Sequence, residues 1–195
     1  NVPQCPRVDL PPRIKNSGSV RLIFIGRVHP IKNLHLVFEF LTALSHSTPV
    51  SSSCLFDGQV AFACHLDIVG PIEDAEYHAR CRQLESRLPS SVSVTWHGSL
   101  PSLDVSTKLA DTHALILPTA GENFGHAIFE AFGTGTPVII SDQTCWRMLE
   151  RIQAGWDIPL AQPVRFCEAI QKLRDMNQAE YDQWRLGAHA VAQRF

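Results

Sequence analysis

Two short segments carry the residues whose types and spacing could do chemistry. In Gly26-Arg27-Val28-His29-Pro30-Ile31-Lys32-Asn33 an apolar run ends at a glycine, and a guanidinium and an ammonium follow five residues apart, just ahead of a helical pattern. Gly26 permits a tight turn, and the two cations can converge beside a helix N-terminus whose free amides and dipole already favour an anion. A diphosphate would suit such a place. The spacing is neither that of a P-loop nor Gly-x-Gly-x-x-Gly, and two cations after a strand can equally lie solvated. The second segment runs from Thr119 to Glu130, with Glu122 in a loop, Gly125 opening a helical pattern and Glu130 inside it. A carboxylate facing a helix start can accept the hydroxyl hydrogens of a sugar or ribose, while the amides of Asn123, Phe124 and Gly125 offer donors to a phosphate. The alternative makes Glu122 a helix cap and Glu130 an exposed helical carboxylate. Phe124, Ile128, Phe129 and Phe132 read more simply as core than as ligand contacts.

Both segments need elements to hold them. Strand-length apolar runs occur at residues 20–26, 62–70, 92–98, 113–119 and 137–141. Those at 20–26 and 113–119 are almost continuously apolar, as expected of parallel strands covered on both faces. Helical spacing fills the intervals at 33–45, where Asn33 stands as the expected N-cap, and at 73–88, 103–110, 125–133, 143–153, 164–176 and 178–194. Alternating strand and helix predict an α/β fold, a doubly wound parallel sheet of Rossmann-like type. Such sheets bind ligands beyond the carboxyl ends of their strands, and both segments fall there.

Composition bounds the rest. The chain has 195 residues, 45% hydrophobic and 18% charged, which is enough for one substantial core and too apolar for disorder. A net charge of −2 excludes a broad face for nucleic acid, so phosphate handling must be local. Six scattered cysteines without a Cys-x-x-Cys pair imply reduced thiols and a cytoplasmic setting. None of the nine histidines stands at zinc-ligand spacing, so no metal is expected, and His35 with Glu39 reads as a surface pair. No apolar stretch approaches the length of a transmembrane span and no signal-peptide pattern opens the chain. Residues 1–18, with Pro3, Pro6, Pro11 and Pro12, are expected to be an interdomain linker ahead of a domain at 19–195, and the Ser-rich residues 46–58 a surface loop.

Read together, the motifs acquire a family resemblance. Glu122 and Glu130 lie within Glu-Asn-Phe-Gly and Phe-Glu-Ala-Phe-Gly-Thr-Gly-Thr-Pro-Val-Ile, which resembles the Glu-x7-Glu signature of retaining glycosyltransferases of family 4, enzymes of the GT-B fold. Gly26-Arg27 with Lys32 is similar to that family's phosphate-binding residues. Leu66-Asp67-Ile68-Val69-Gly70, Val94-Thr95-Trp96-His97-Gly98, and Ala110-Asp111 ahead of Pro118-Thr119 resemble its next landmarks, in order. The resemblance implies the C-terminal, donor-binding half of a two-domain enzyme that binds a nucleotide-diphosphate sugar without a metal or other cofactor. Arg27 and Lys32 would hold the diphosphate, Glu130 the ribose, and Glu122 with the amides of Asn123, Phe124 and Gly125 the sugar. The loop around His97, Gly98 and Leu100 would flank the base. An N-terminal Rossmann-like domain would bring a saccharide or lipid-linked acceptor, and any membrane association. Two departures stand out: Asn33 where the family usually has glycine, and Asp-Gln-Thr-Cys-Trp-Arg-Met after Ser141, which lacks the expected glycines. Rival readings are another GT-B enzyme, such as a sugar-nucleotide epimerase or a phosphorylase, and a non-catalytic nucleotide-binding domain.

Overall fold

Six parallel strands lie in the order β3-β2-β1-β4-β5-β6 in the computed structural model, which describes residues 10–46 and 62–194. They are β1 (Ser19–Ile25), β2 (Ala63–Val69), β3 (Val92–Gly98), β4 (Ala114–Leu117), β5 (Val138–Ser141) and β6 (Gly155–Ile158). β4 and β5 are buried at every residue, and Leu22, Ile23 and Phe24 of β1 have no exposed surface, which accounts for their unbroken apolar sequences. The helices are α1 (Leu34–His46), α2 (Ala75–Glu85), α3 (Ser102–Asp111), α4 (His126–Gly133), α5 (Pro163–Asp175) and α6 (Gln178–Ala192). α1 packs with α2 and α5, and α4 with α3 and α6, two groups that bury the sheet. The expected Ser-rich loop falls mostly outside the described residues, as does the start of the Pro-rich segment.

Several expectations are corrected, the first of them a helix. Residues 143–153 are not helical, although Cys145, Met148, Leu149 and Ile152 follow a helical spacing. The Asp157 carboxylate accepts the amides of Met148 and Leu149 at 3.2 and 2.9 Å, and Arg147 donates to the carbonyls of Asp142, Thr144 and Trp146. These side chains offer the backbone partners that a helix would otherwise supply. Met148, at φ +60°, turns the chain away from the helical path. The second correction is β6, a strand not foreseen, whose Gly155 sits at φ +149° where a Cβ would lie 2.2 Å from the Val138 carbonyl oxygen. His35 also departs from the surface-pair reading: its ring bonds the Tyr77 hydroxyl at 2.8 Å.

Residues 11–18 form neither helix nor strand, as their prolines imply, yet they are bolted to the amino ends of the strands. Arg13 is buried and donates to the carbonyls of Thr112 and Thr134 and the hydroxyls of Thr136 and Tyr181. The Lys15 ammonium donates to the carbonyls of Asn16, Ser19 and Arg174, and burial pulls its pKa down to about 8. His113 closes this end, accepting the Arg21 amide on Nδ1 at 3.0 Å and so donating Nε2–H to Ile14 at 3.1 Å. That tautomer is the neutral imidazole.

Burial, aided by Lys15, Arg13 and Arg21 but opposed by the Ile14 bond, lowers the His113 pKa to about 4 from an ordinary 6.5. A histidine held neutral contributes stability above pH 6.5 that is lost as pH falls towards 4, because the unfolded chain takes the proton first. The urea midpoint is therefore expected to drop between pH 7 and pH 4.5, and His113→Gln should flatten that slope. An equally steep decline in the variant would assign the acid sensitivity elsewhere.

Candidate functional site

Both chemically promising segments reach the carboxyl edge of the sheet on either side of the boundary between β1 and β4, where the strand order reverses. The loop after β1 passes through a short 3-10 turn, Pro30–Lys32, and hydrogen bonds join it to the loop after β4. The Ala120 amide and the Thr119 hydroxyl both donate to the Ile31 carbonyl, at 2.7 and 3.1 Å. Asn33 does not act as the expected cap. It closes the 3-10 turn at φ +52°, and its side-chain amide donates to the Pro118 carbonyl at 2.9 Å. Left-handed backbone favours glycine or asparagine at residue 33, and the amide is what asparagine adds.

The same seam brings Lys32 to Glu122, Nζ to Oε2, at 2.5 Å. The two side chains are only 12% and 22% exposed, so this pair is shielded from solvent in a way that surface pairs are not. Glu122 is thereby excluded as the cap of α4, which begins after Gly125 without any side-chain cap. Gly125 is at φ +78° with Ile128 and Glu122 pressed against it; a Cβ would lie 2.8 Å from Ile128 Cδ1. No described residue accepts the amides of Asn123, Phe124 or Gly125. Glu130 stands half-buried in the second turn of α4, its carboxylate in no bond with another described residue. Phe124 is 38% exposed, while Ile128 and Phe132 are core. Trp146 packs against Phe124 and Phe132 and donates from Nε1 to the Phe124 carbonyl at 2.8 Å, fixing the loop from behind.

On the other side of β1, Gly26 is held to β2 through its amide and the Val69 carbonyl at 2.9 Å. Arg27 points to Glu73, with Nη1 at 2.6 and 2.7 Å from the two carboxylate oxygens; both side chains are about half exposed. Next along the rim, the Gly70 amide donates to the Gly98 carbonyl at 2.8 Å, which ties the β2 loop to the His97 loop. His97 Nε2 meets Asp67 Oδ1 at 2.5 Å, and Leu100 is half-buried against the core.

Sequence reasoning singled out neither Glu73 nor the buried Asp67. The Asp67 carboxylate, 2% exposed, faces His65 at 3.4 Å and Lys108 at 3.9 Å as well as His97. Burial alone would raise its pKa. The His97 hydrogen bond and the charges of His65, Lys108 and His97 outweigh that and hold it below the ordinary carboxylate value. An acidic residue within Leu66-Asp67-Ile68-Val69 was the available signal, since a carboxylate inside an apolar strand requires partners.

A doubly wound parallel sheet with cations, free amides and carboxylates gathered at its switch point defines a Rossmann-like domain suited to an anionic, hydroxyl-bearing ligand. The family described as glycosyl transferases group 1 matches residues 19–175. The chain belongs to that family, and its fold is that of the domains of GT-B glycosyltransferases.

Among solved structures, it is similar to WaaG, a glycosyltransferase involved in lipopolysaccharide biosynthesis (TM-score 0.69, 19% identity), covering 91% of this chain and 44% of that one. It is similar also to the pneumococcal O-GlcNAc transferase GtfA in complex with UDP and GlcNAc (TM-score 0.64, 17% identity, 93% of this chain and 34% of that one). The catalytic domain of cholesterol-alpha-glucosyltransferase from Helicobacter pylori matches at TM-score 0.63 and 13% identity, over 90% of this chain and 99% of that one. Identities this low establish the fold alone. The chain thus spans less than half of WaaG and about a third of GtfA. A search of curated protein sequences finds no significant match.

Proposed function

We propose that this domain binds a nucleotide-diphosphate sugar and presents it for transfer with retention of anomeric configuration. One observation supports this above the others: at the switch point Lys32 meets Glu122, and the next three amides along the chain, of residues 123–125, find no acceptor among the described residues, so donors for phosphate follow directly on an acceptor for sugar hydroxyls. Arg27 and Lys32 hold the diphosphate, Glu130 accepts from the ribose, and Glu122 with its neighbouring amides holds the sugar. His97 and Leu100 flank the base.

In the transfer, the bond from the anomeric carbon to the phosphate oxygen breaks as the acceptor oxygen bonds the same face. The acceptor proton passes to the departing phosphate. Arg27 and Lys32 stabilise the charge that develops there. The acceptor, a saccharide or lipid-linked group, is positioned by a second Rossmann-like domain, so this chain alone binds donor weakly and does not turn over.

Titration of the chain with uridine, guanosine and adenosine diphosphates and their sugars tests the reading. One base series is expected to raise the melting temperature with increasing concentration, and Arg27→Ala should diminish the rise. Absence of binding by every member of the panel overturns the donor-site assignment.

A further inference from the structure

Neither cation of the β1 loop is free. Arg27 meets Glu73, carried by the loop after β2, and Lys32 meets Glu122, carried by the loop after β4. Glu122 already has a part in holding the sugar. Glu73 has none, yet its position is built by backbone. The Val28 amide donates to the Pro71 carbonyl at 2.9 Å, the Val28 carbonyl accepts the amides of Glu73 and Asp74 at 3.3 and 3.2 Å, and Val28 pairs with Ile72 in a parallel bridge. Asp74 caps α2 by accepting the Tyr77 amide at 2.8 Å, so the helix begins at Ala75 and Glu73 stays outside it, beside Arg27.

Two carboxylates against two cations leave this loop no surplus positive charge to draw a diphosphate. The oxygens of Glu73 engage Nη1 of Arg27, as phosphate oxygens would. On the donor-site reading above, we propose that Glu73 is an internal counter-ion that competes with the nucleoside diphosphate for Arg27. It holds the guanidinium in the empty site, yields to the diphosphate, and recaptures the guanidinium as the product leaves.

Exposure sets the size of the effect. At 54% and 42% exposed, Arg27 and Glu73 form a pair of the weak kind, easily exchanged. Lys32 and Glu122 differ, because an ammonium has three donors and can keep its carboxylate while binding phosphate.

Calorimetric titration with uridine, guanosine and adenosine diphosphates, comparing wild type, Glu73→Gln, Arg27→Ala and the double variant, tests the proposal. The diphosphate that binds wild type is expected to bind Glu73→Gln about 2- to 5-fold more tightly. The gain should vanish in the Arg27→Ala background, and added salt should weaken binding more steeply in Glu73→Gln than in wild type. Unchanged or weaker binding by Glu73→Gln, or a gain that persists without Arg27, overturns the proposal; a merely structural Glu73 would give the weaker binding together with a lower melting temperature. If Arg27→Ala leaves affinity untouched, or no diphosphate binds wild type, the donor-site reading itself fails and the counter-ion falls with it.

Discussion

Lys32→Ala, introduced into a chain that includes the acceptor-binding half, is expected to lower kcat/KM about 30- to 1000-fold, roughly 2–4 kcal/mol of transition-state stabilisation. Two effects act in the same direction. On the proposed donor site, a preorganised cation disappears from the place where charge would develop on the leaving diphosphate. Glu122, 22% exposed and 2.5 Å from Nζ in the wild type, is then left with its charge uncompensated where, on the same proposal, the diphosphate would approach. Adding Glu122→Gln to Lys32→Ala removes the second effect, so the double variant should bind nucleoside diphosphate better than the single one while turnover stays low. Steady-state rates with parallel calorimetry separate the two. A Lys32→Ala enzyme with kcat/KM within 3-fold of wild type would remove Lys32 from the chemistry.

The largest expected loss of stability follows from one methyl group. Gly70 lies at φ +143°, and a Cβ there would stand 2.0 Å from the carbonyl oxygen and 2.7 Å from the carbonyl carbon of Gly26. Both obstacles are backbone, so no side chain can rotate aside, and the ends of β1 and β2 must separate. That movement disturbs the Gly26–Val69 and Gly70–Gly98 hydrogen bonds and carries Arg27 with it. Gly70→Ala is therefore expected to cost about 3–5 kcal/mol and to abolish the proposed nucleotide binding together with stability. Gly98→Ala supplies the comparison: at φ +65° with open space around the added Cβ, it should cost only about 1–2 kcal/mol. Urea unfolding of the two variants decides the matter, and equal midpoints would show that the loops separate more easily than their geometry implies.

How much of this was legible in the sequence depends on the distance over which each contact acts. The strands at 19–25 and 114–117 were readable because burial on both faces leaves an almost continuous apolar run, and the one at 92–98 because its apolar residues alternate. The seven-residue interval from Glu122 to Glu130 was readable because the loop and the first turns of α4 are contiguous in the chain. The stretch at 143–153 was misread because its apolar spacing is helical, while the groups that divert it, Asp157 and the Arg147 guanidinium, act through backbone contacts that no periodicity records. β6 has four residues, and what defines it is pairing with β5 and the stacking of Trp156 on Trp184, 28 positions away, with centroids 4.1 Å apart. Glu73 escaped notice for the same reason: it stands 46 positions from Arg27 and is brought there by strand order.

The clamped segment at residues 11–18 has a mechanical meaning. Arg13 and Lys15 anchor it at the amino ends of the strands, whereas Arg27, Lys32 and Glu122 crown their carboxyl ends, a seven-residue strand of about 23 Å away. Because the anchor and the proposed donor site lie at opposite ends of the strands, a rotation of a few degrees about the anchor corresponds to a displacement of about an ångström at the donor site, so the segment acts on the site through leverage rather than through contact.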